Sequence, residues 1–261
     1  MKRILALVVL AFALGALLGG VALGLAVAGG LLLALLALLL VAGALLRRSP
    51  DLAARLFAWG HARSDAFLER HYAEDRRRLL AGLQGRVLEL GPGTGNNLPH
   101  YPQDVSWVGV EPNVHMHRRI RARAEALRRR VELHLGSAEA LPFPAESFDA
   151  VVATLVLCSV DDADRVLREV RRVLRPGGRF LFLEHVGAPR SSGLRLLQEL
   201  VAPLWSSLGH GCRPDRDTGA ALERAGFAVL DCRLVEKAGL SLVVHHLVGE
   251  ARVAGPEDRD A

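Results

Sequence analysis

An α/β protein with a mostly parallel sheet is predicted by three observations. From residue 86 onward, short apolar runs alternate with longer amphipathic segments. The first run, Val87-Leu88-Glu89-Leu90, leads into Gly91-Pro92-Gly93-Thr94-Gly95. Three glycines at alternate positions mark a strand entering a tight loop whose backbone meets a ligand closely. A second run, Trp107-Val108-Gly109-Val110, ends in Glu111, 20 residues after the first glycine. An acid at that distance can accept both hydroxyls of a ribose. Loop and acid together indicate a nucleoside-containing cofactor and hence an enzyme.

Strand-like runs cover 86–90, 107–110, 131–135, 148–154, 179–184, 228–235 and 240–249, and helical segments cover 114–129, 161–174, 192–207 and 215–225. Elements alternating at this length predict a Rossmann-like, mostly parallel seven-stranded sheet with helices on both faces. The last two runs, joined by a short turn near Lys237–Gly239, should form an antiparallel hairpin at one edge. Asp161 or Asp162 can cap the helix over 161–174, and Arg175-Pro176-Gly177-Gly178 should end it. In such folds ligands lie beyond the carboxyl ends of the strands, which is where Gly91–Gly95 falls.

The 261 residues are not one population. Residues 4–46 carry no charged side chain, whereas the rest is mixed and long enough for one sizeable core. Cys158, Cys212 and Cys232 include no CxxC pair, so neither a disulfide framework nor a zinc spacing is visible, and no metal is expected. A reducing compartment is the simpler reading. Net charge is +5, and Arg118, Arg119, Arg121, Arg123, Arg128, Arg129 and Arg130 crowd one helix. They read as a solvated face or as a patch for anionic lipid headgroups. Without interleaved aromatics they do not indicate nucleic acid.

As one helix, the 43 uncharged residues would span ~65 Å at ~1.5 Å each. A bilayer core is ~30 Å thick, so two short spans fit better than one. The hairpin would turn between Gly19 and Gly30. Lys2-Arg3 before it and Arg47-Arg48 after it favour both ends on the cytoplasmic side. Ala26-Val27-Ala28 also resembles a signal-peptide cleavage site. Against cleavage stand the second apolar stretch that follows at once and the need of the later domain for an intracellular cofactor. The expected organisation is therefore a membrane anchor over 1–48, connecting or interfacial helices over 49–82, a catalytic domain over 83–250 and a flexible tail over 251–261. Ser49-Pro50-Asp51 reads as a helix start. Leu52, Leu56 and Trp59 could share one face, with Arg55 and Arg63 at headgroups, or the helix could simply connect.

A nicotinamide dinucleotide loop has the spacing G-x-G-x-x-G. Here the third glycine comes two residues after the second, and Glu89 precedes the loop. With these features the chain resembles the class I S-adenosylmethionine-dependent methyltransferases over about residues 70–235. Val87–Gly95 resembles their first motif and Val110-Glu111-Pro112 their second. The segment from Gly136-Ser137-Ala138-Glu139-Ala140-Leu141-Pro142-Phe143 to Ser147-Phe148-Asp149 resembles the third. Arg172-Val173-Leu174-Arg175-Pro176-Gly177-Gly178 resembles the signature before their fifth strand. Further segments are similar to small membrane-anchored methyltransferase-like proteins of animals: Thr154–Val160, Glu184-His185-Val186, and Gly211-Cys212 with Arg216 and Thr218. Those are alkyl thiol S-methyltransferases held by an N-terminal hydrophobic segment. Bacterial phosphatidylethanolamine N-methyltransferases and quinone-ring methyltransferases share much of this core.

The resemblance implies S-adenosyl-L-methionine as cofactor. Gly91, Gly93 and Gly95 would set backbone against its methionine portion, and Glu89 would hold its amino group. Glu111 would take the ribose hydroxyls, with Pro112 beside the adenine. Ala138 and Glu139 would bound the adenine pocket, and Thr154 and Leu155 would line the sulfonium side. The chain departs from the commonest pattern in having Glu at 111 for Asp, which keeps the carboxylate, and Pro at 92 for Cys or Ala.

Methyl transfer is an in-line displacement that needs a collinear, water-poor site and a deprotonated acceptor. His185 and His210 are the candidate catalytic bases, each of which could equally be a hydrogen-bonded structural histidine. His245 and His246 read as structural, and Cys158 as core packing. Leu194, Leu197, Leu200, Val201, Leu204 and Leu208 form a helical stripe that either packs on the sheet or admits lipophilic substrates. The expected function is methyl transfer to a small lipophilic acceptor such as a thiol. Alternatives are phosphatidylethanolamine or a quinone as acceptor, or a non-catalytic membrane adaptor. The expected partners are that acceptor and membrane lipid, the expected location is a membrane, with the catalytic domain in the cytoplasm (a bacterial inner membrane), and the oligomeric state stays open.

Overall fold

A computed structural model describes residues 48–237, 239 and 241–253, together with eight helical positions, Val27, Gly29, Gly30, Leu31, Ala34, Leu35, Leu38 and Gly43. The chain divides into two compact units, Met1–Ala53 and Ala54–Ala261. The expected hairpin of the first unit lies, apart from those positions, outside the described residues. Among the described residues no helix is long and apolar enough to cross a membrane. Val27, Leu31, Leu35 and Leu38 are helical and exposed.

The second unit is built on a seven-stranded sheet in the order β3-β2-β1-β4-β5-β7-β6. Its strands are β1 (Arg86–Leu90), β2 (Ser106–Val110), β3 (Glu132–His134), β4 (Phe148–Thr154), β5 (Leu174–His185), β6 (Phe227–Glu236) and β7 (His245–Val253). β1 to β5 pair in parallel, and β7 runs antiparallel to both β5 and β6. The expected edge hairpin is therefore present, with its second strand inserted between β5 and β6. Its connection is longer than a tight turn. The chain makes a 3-10 turn at Ser241–Val243, so β7 starts at His245 rather than near residue 240. β7 also runs three residues into the expected tail, with Ala251 fully buried. Residues 254–261 lie outside the described residues.

The central strands β1, β2, β4 and β5 are largely buried on both faces, as central parallel strands must be. Side chains alternate between two cores. Leu88, Leu90, Val151, Ala153, Phe180 and Phe182 pack on one face against Val166, Leu167, Val170 and Val173 of α3 (Ala163–Val173) and Leu222 of α5 (Thr218–Arg224). Val87, Trp107, Ala150, Val152 and Leu181 pack on the other against Leu80 of α1 (Pro50–Leu80) and Met116, Ile120 and Ala124 of α2 (Val114–Ala126). α4 is Gly193–Leu208.

Helix starts follow the capping rule that a short polar side chain accepts an otherwise orphan N–H. Asn113 caps α2 through His115 N at 3.0 Å, Asp162 caps α3 through Arg165 N at 2.9 Å, Ser192 caps α4 and Asp217 caps α5. The turn chemistry at 175–178 appears as an excursion within β5, exposed at Arg175, Pro176 and Gly177. Leu174 pairs with Phe148 and Arg179 with Ala150, and Gly177 takes φ +75°.

Three sequence readings change. Residues 50–80 form one continuous helix rather than several, since only Gly60 interrupts their helix-forming residues. Two of the crowded arginines are structural: Arg129 is buried and donates to the Tyr101 and Pro102 carbonyls, and Arg123 pairs with Asp65. Of the two readings open for the leucine stripe of α4, packing on the sheet is not met at its middle positions. Leu197, Leu200 and Leu204 are exposed, and the buried positions are Gln198 and Ala202. Gln198 is held by the Ala188 N–H and the Leu242 carbonyl.

Gly249 fixes the packing of β7. A Cβ there would lie 2.3 Å from the Asp231 carbonyl and 3.0 Å from Phe182. Gly249→Ala is expected to destabilise the domain by about 2 kcal/mol, read as a lower urea midpoint, and an unchanged midpoint would contradict this strand packing.

Candidate active site

The glycine loop lies where β1, β2 and β4 end. Gly91, Gly93 and Gly95 have φ of +52°, +59° and +81°, a region that L side chains avoid. A Cβ at Gly91 would also meet Val156 at 2.9 Å, and one at Gly95 would meet Leu98 at 2.9 Å. The loop is tied to β2 by Glu111, whose Oε2 accepts from the Gly93 N–H at 2.9 Å while Oε1 accepts from the Asn113 N–H at 2.9 Å. Burial pushes the Glu111 carboxyl up, and the two backbone bonds oppose that shift.

Glu89 is 2 % exposed. A buried carboxylate requires hydrogen-bond partners, and Glu89 has three: Asn97 Nδ2 at 2.9 Å on Oε1, and Tyr101 Oη at 3.0 Å and Trp107 Nε1 at 2.7 Å on Oε2. Desolvation still raises its pKa to about 7. Asn97 Nδ2 also donates to Thr154 Oγ1 at 2.9 Å. These two bonds fix the amide orientation and leave Asn97 Oδ1 a buried acceptor with no partner.

Helix α1 closes over this loop. Asp65 accepts from Thr94 Oγ1 at 2.7 Å, Asn96 Nδ2 at 3.1 Å and Arg123 at 3.0 Å, which joins helix, loop and α2. Phe57, His61, Leu68 and Arg76 of the same helix line a cavity of about 350 Å³. Arg76 is buried, pairs with Glu69 at 3.2 Å, and has an Nε donor without a partner.

The opposite wall is the segment after β4. Glu184 is fully buried and accepts from the Val156 and Cys158 N–H groups at 2.9 and 3.2 Å, which pins that segment to β5. Leu155 takes φ +59° there, strain for a non-glycine residue that the surrounding bonds hold in place. His210, also strained at φ +53°, stacks on Phe57 with centroids 4.0 Å apart and planes 14° apart. Burial lowers its pKa, so the ring is neutral at pH 7.

The cavity gathers nearly every residue that the sequence singled out. Glu89, Gly91, Gly93, Glu111, Pro112, Ala138, Glu139, Thr154, Leu155 and His210 all line it. Gly95 shapes the loop without lining the cavity. Glu139 does so with one oxygen committed, since Oε1 accepts from the Asp162 N–H at 2.9 Å. The Ala138 segment is anchored to α3, where Glu169 accepts from the Leu141 N–H and Arg172 donates to the Phe143 and Leu141 carbonyls. His185 is not among the lining residues. Its ring contacts Cys158, Cys212, Tyr72 and His246 instead. The α1 residues, Asn97 and Ser137 were missed. The polar residues Thr94, Asn96 and Asn97 around the last glycine were the only local signal, and although a helix start was legible at Ser49-Pro50-Asp51, nothing local marked that helix as part of the site.

A family model described as a methyltransferase domain matches residues 88–182. Human thiol S-methyltransferase TMT1A is 40% identical over 192 residues, which span 69% of this chain and 78% of that protein. A phosphatidylethanolamine N-methyltransferase of Cereibacter sphaeroides is 35% identical over 139 residues, 51% of this chain and 68% of that one. Among solved structures, an S-adenosylmethionine-dependent methyltransferase from Thermotoga maritima superposes with a TM-score of 0.56 at 24% identity, over 77% of this chain and 98% of that one. That likeness carries the fold alone.

The residues present fit S-adenosylmethionine. Asn97 Oδ1 is an unused buried acceptor beside Glu89, suited to an ammonium group. The unused Arg76 Nε is a donor suited to a carboxylate. Each Glu111 oxygen accepts one backbone bond and keeps a lone pair for a hydroxyl.

Two outcomes follow for cofactor binding measured by calorimetry. Glu111→Ala should weaken it about 10- to 100-fold, the value of charge-assisted bonds to hydroxyls, and unchanged affinity would refute the ribose assignment. Glu89 must be ionised to receive a cation, and its pKa is raised to about 7. Affinity should therefore fall as pH drops through 7, by at most tenfold per pH unit, and Glu89→Gln should flatten that slope. A wild-type affinity independent of pH between 6 and 8 would contradict the role of Glu89.

Proposed function

This chain belongs to the class I S-adenosylmethionine-dependent methyltransferases, close to the thiol S-methyltransferases, and we propose that its acceptor is a small lipophilic thiol. The observation that carries this reading is His210. It is a neutral imidazole, backed by Phe57, in the same cavity as the glycine loop and Glu111. The 40% identity to a human thiol S-methyltransferase supports it.

Bound S-adenosylmethionine supplies an electrophilic methyl group on a sulfonium. His210 would take the proton from the acceptor S–H and leave the acceptor as a thiolate, the form able to receive that methyl group. Leu155 and Val156 hold the apolar wall that keeps water from competing. Glu184 fixes that wall by its bonds to the Val156 and Cys158 N–H groups.

The catalytic unit works at a membrane, on the cytoplasmic side, anchored by residues 4–46. Their freedom from charge supports this, as do the exposed apolar side chains Val27, Leu31, Leu35 and Leu38. Leu196, Leu197, Leu200 and Leu204 give α4 an exposed apolar face suited to lipid, and on α1 Leu56 and Trp59 are exposed as well, with Arg63 stacked over Trp59 at 4.1 Å. Lipophilic acceptors would concentrate in that phase.

The test incubates the full chain with methyl-labelled cofactor and separate panels of alkyl thiols, phosphatidylethanolamine vesicles and quinols. Label should pass to the thiols, and His210→Ala should cut that rate by about 10²-fold or more, as loss of a general base does. Transfer to phospholipid alone, or full activity of His210→Ala, would overturn the reading.

A further inference from the structure

Behind the cavity wall, three donor residues from three separate segments converge. Cys158 follows β4, His185 ends β5 and Cys212 follows α4. Their ligand atoms all lie within 4.8 Å of one another, and both cysteine Sγ atoms are 3.5 Å from His185 Nδ1. Cys158 is 1 % and Cys212 9 % exposed, packed with Val243 and Trp205.

The hydrogen-bond chain behind His185 fixes which of its nitrogens is free. His246 Nδ1 faces the Val244 carbonyl at 3.1 Å, so that nitrogen carries a proton. Its Nε2 therefore accepts from the Tyr72 hydroxyl at 2.7 Å. With its proton used there, the hydroxyl can only accept from His185 Nε2–H, 3.4 Å away. His185 Nδ1 is then a bare lone pair pointing at two sulfurs. One lone pair can accept from one S–H, yet two sulfurs stand at the same distance from it. A cation would satisfy all three donors together. Two sulfurs and an imidazole suit zinc, with Zn–S near 2.3 Å and Zn–N near 2.0–2.1 Å, which at a tetrahedral angle put S and N about 3.6 Å apart. A ligating histidine ordinarily donates its other N–H to an orienting partner, the part that Tyr72 plays here.

We propose that Cys158, His185 and Cys212 bind a zinc ion in a Cys2His site with a fourth position left open. The cysteines are then ligands, rather than core packing, and His185 holds metal rather than moving a proton. Ser159, next to Cys158, and His210, two residues before Cys212, line the cavity, so the ion would brace the wall against which the acceptor sits.

The test measures metal in the full chain purified without chelator, then replaces the metal with cobalt. One zinc per chain is expected, along with a thiolate-to-cobalt charge-transfer band and the intense visible bands of a four-coordinate site. Cys158→Ser and Cys212→Ser should each lose the metal, while Cys232→Ser, at an exposed cysteine, should retain it. Less than roughly a fifth of an equivalent after zinc loading would overturn the proposal. So would a cobalt adduct lacking the charge-transfer band, or a Cys158–Cys212 disulfide in the freshly purified protein by mass spectrometry. The wild-type spectrum decides the matter even if the serine variants fail to fold.

Discussion

Glu89 places a nearly fully buried carboxylate at the floor of the site, and much of the surrounding architecture meets the cost of doing so. An unpartnered buried charge is among the most expensive features a fold can carry. Three donors offset it, and they come from the loop after the glycines (Asn97, Tyr101) and from β2 (Trp107). Asn97 extends the network to Thr154 at the end of β4. One buried acid therefore ties together three adjacent strands, β1, β2 and β4, beneath the place where a cofactor must be gripped. Desolvation raises its pKa to about 7, and a cation bound beside it would favour the ionised form.

What could be read in the sequence was what is local in it. The strand at 86–90, the glycine loop and Glu111 are contiguous patterns, and each has a backbone cause: positive φ at the glycines, and a carboxylate held by Gly93 and Asn113. What could not be read depends on long-range closure. Nothing near Asp65 or Arg76 signals that a helix before the sheet folds over the glycine loop, because Asp65 meets its partners about 30 residues away. Which of the two readings held for α4's leucines was undecided for a related reason. Periodicity identifies an apolar face but not what covers it, and here Gln198 faces inward to join the Ala188 and Leu242 backbones.

The histidines divide by environment rather than by chain position. His210 and His185 seemed equivalent as bases, yet one stacks on Phe57 in the cavity and the other is locked between two sulfurs and Tyr72. His246, expected to be structural, is so in a specific sense. Burial pushes its pKa down to about 3, and as a neutral ring it orients Tyr72, and through Tyr72 His185. The acceptor side of the site is thus supported by a polar network as ordered as the one under the cofactor side.

The central claim is that the cavity bounded by the glycine loop, Glu111 and α1 is shaped for S-adenosylmethionine rather than for a dinucleotide. Calorimetric titration of the full chain with S-adenosylmethionine and, separately, with NAD tests this most directly. The account predicts one S-adenosylmethionine bound per chain and no heat of binding with NAD. Saturable NAD binding, or no binding of S-adenosylmethionine, would contradict it.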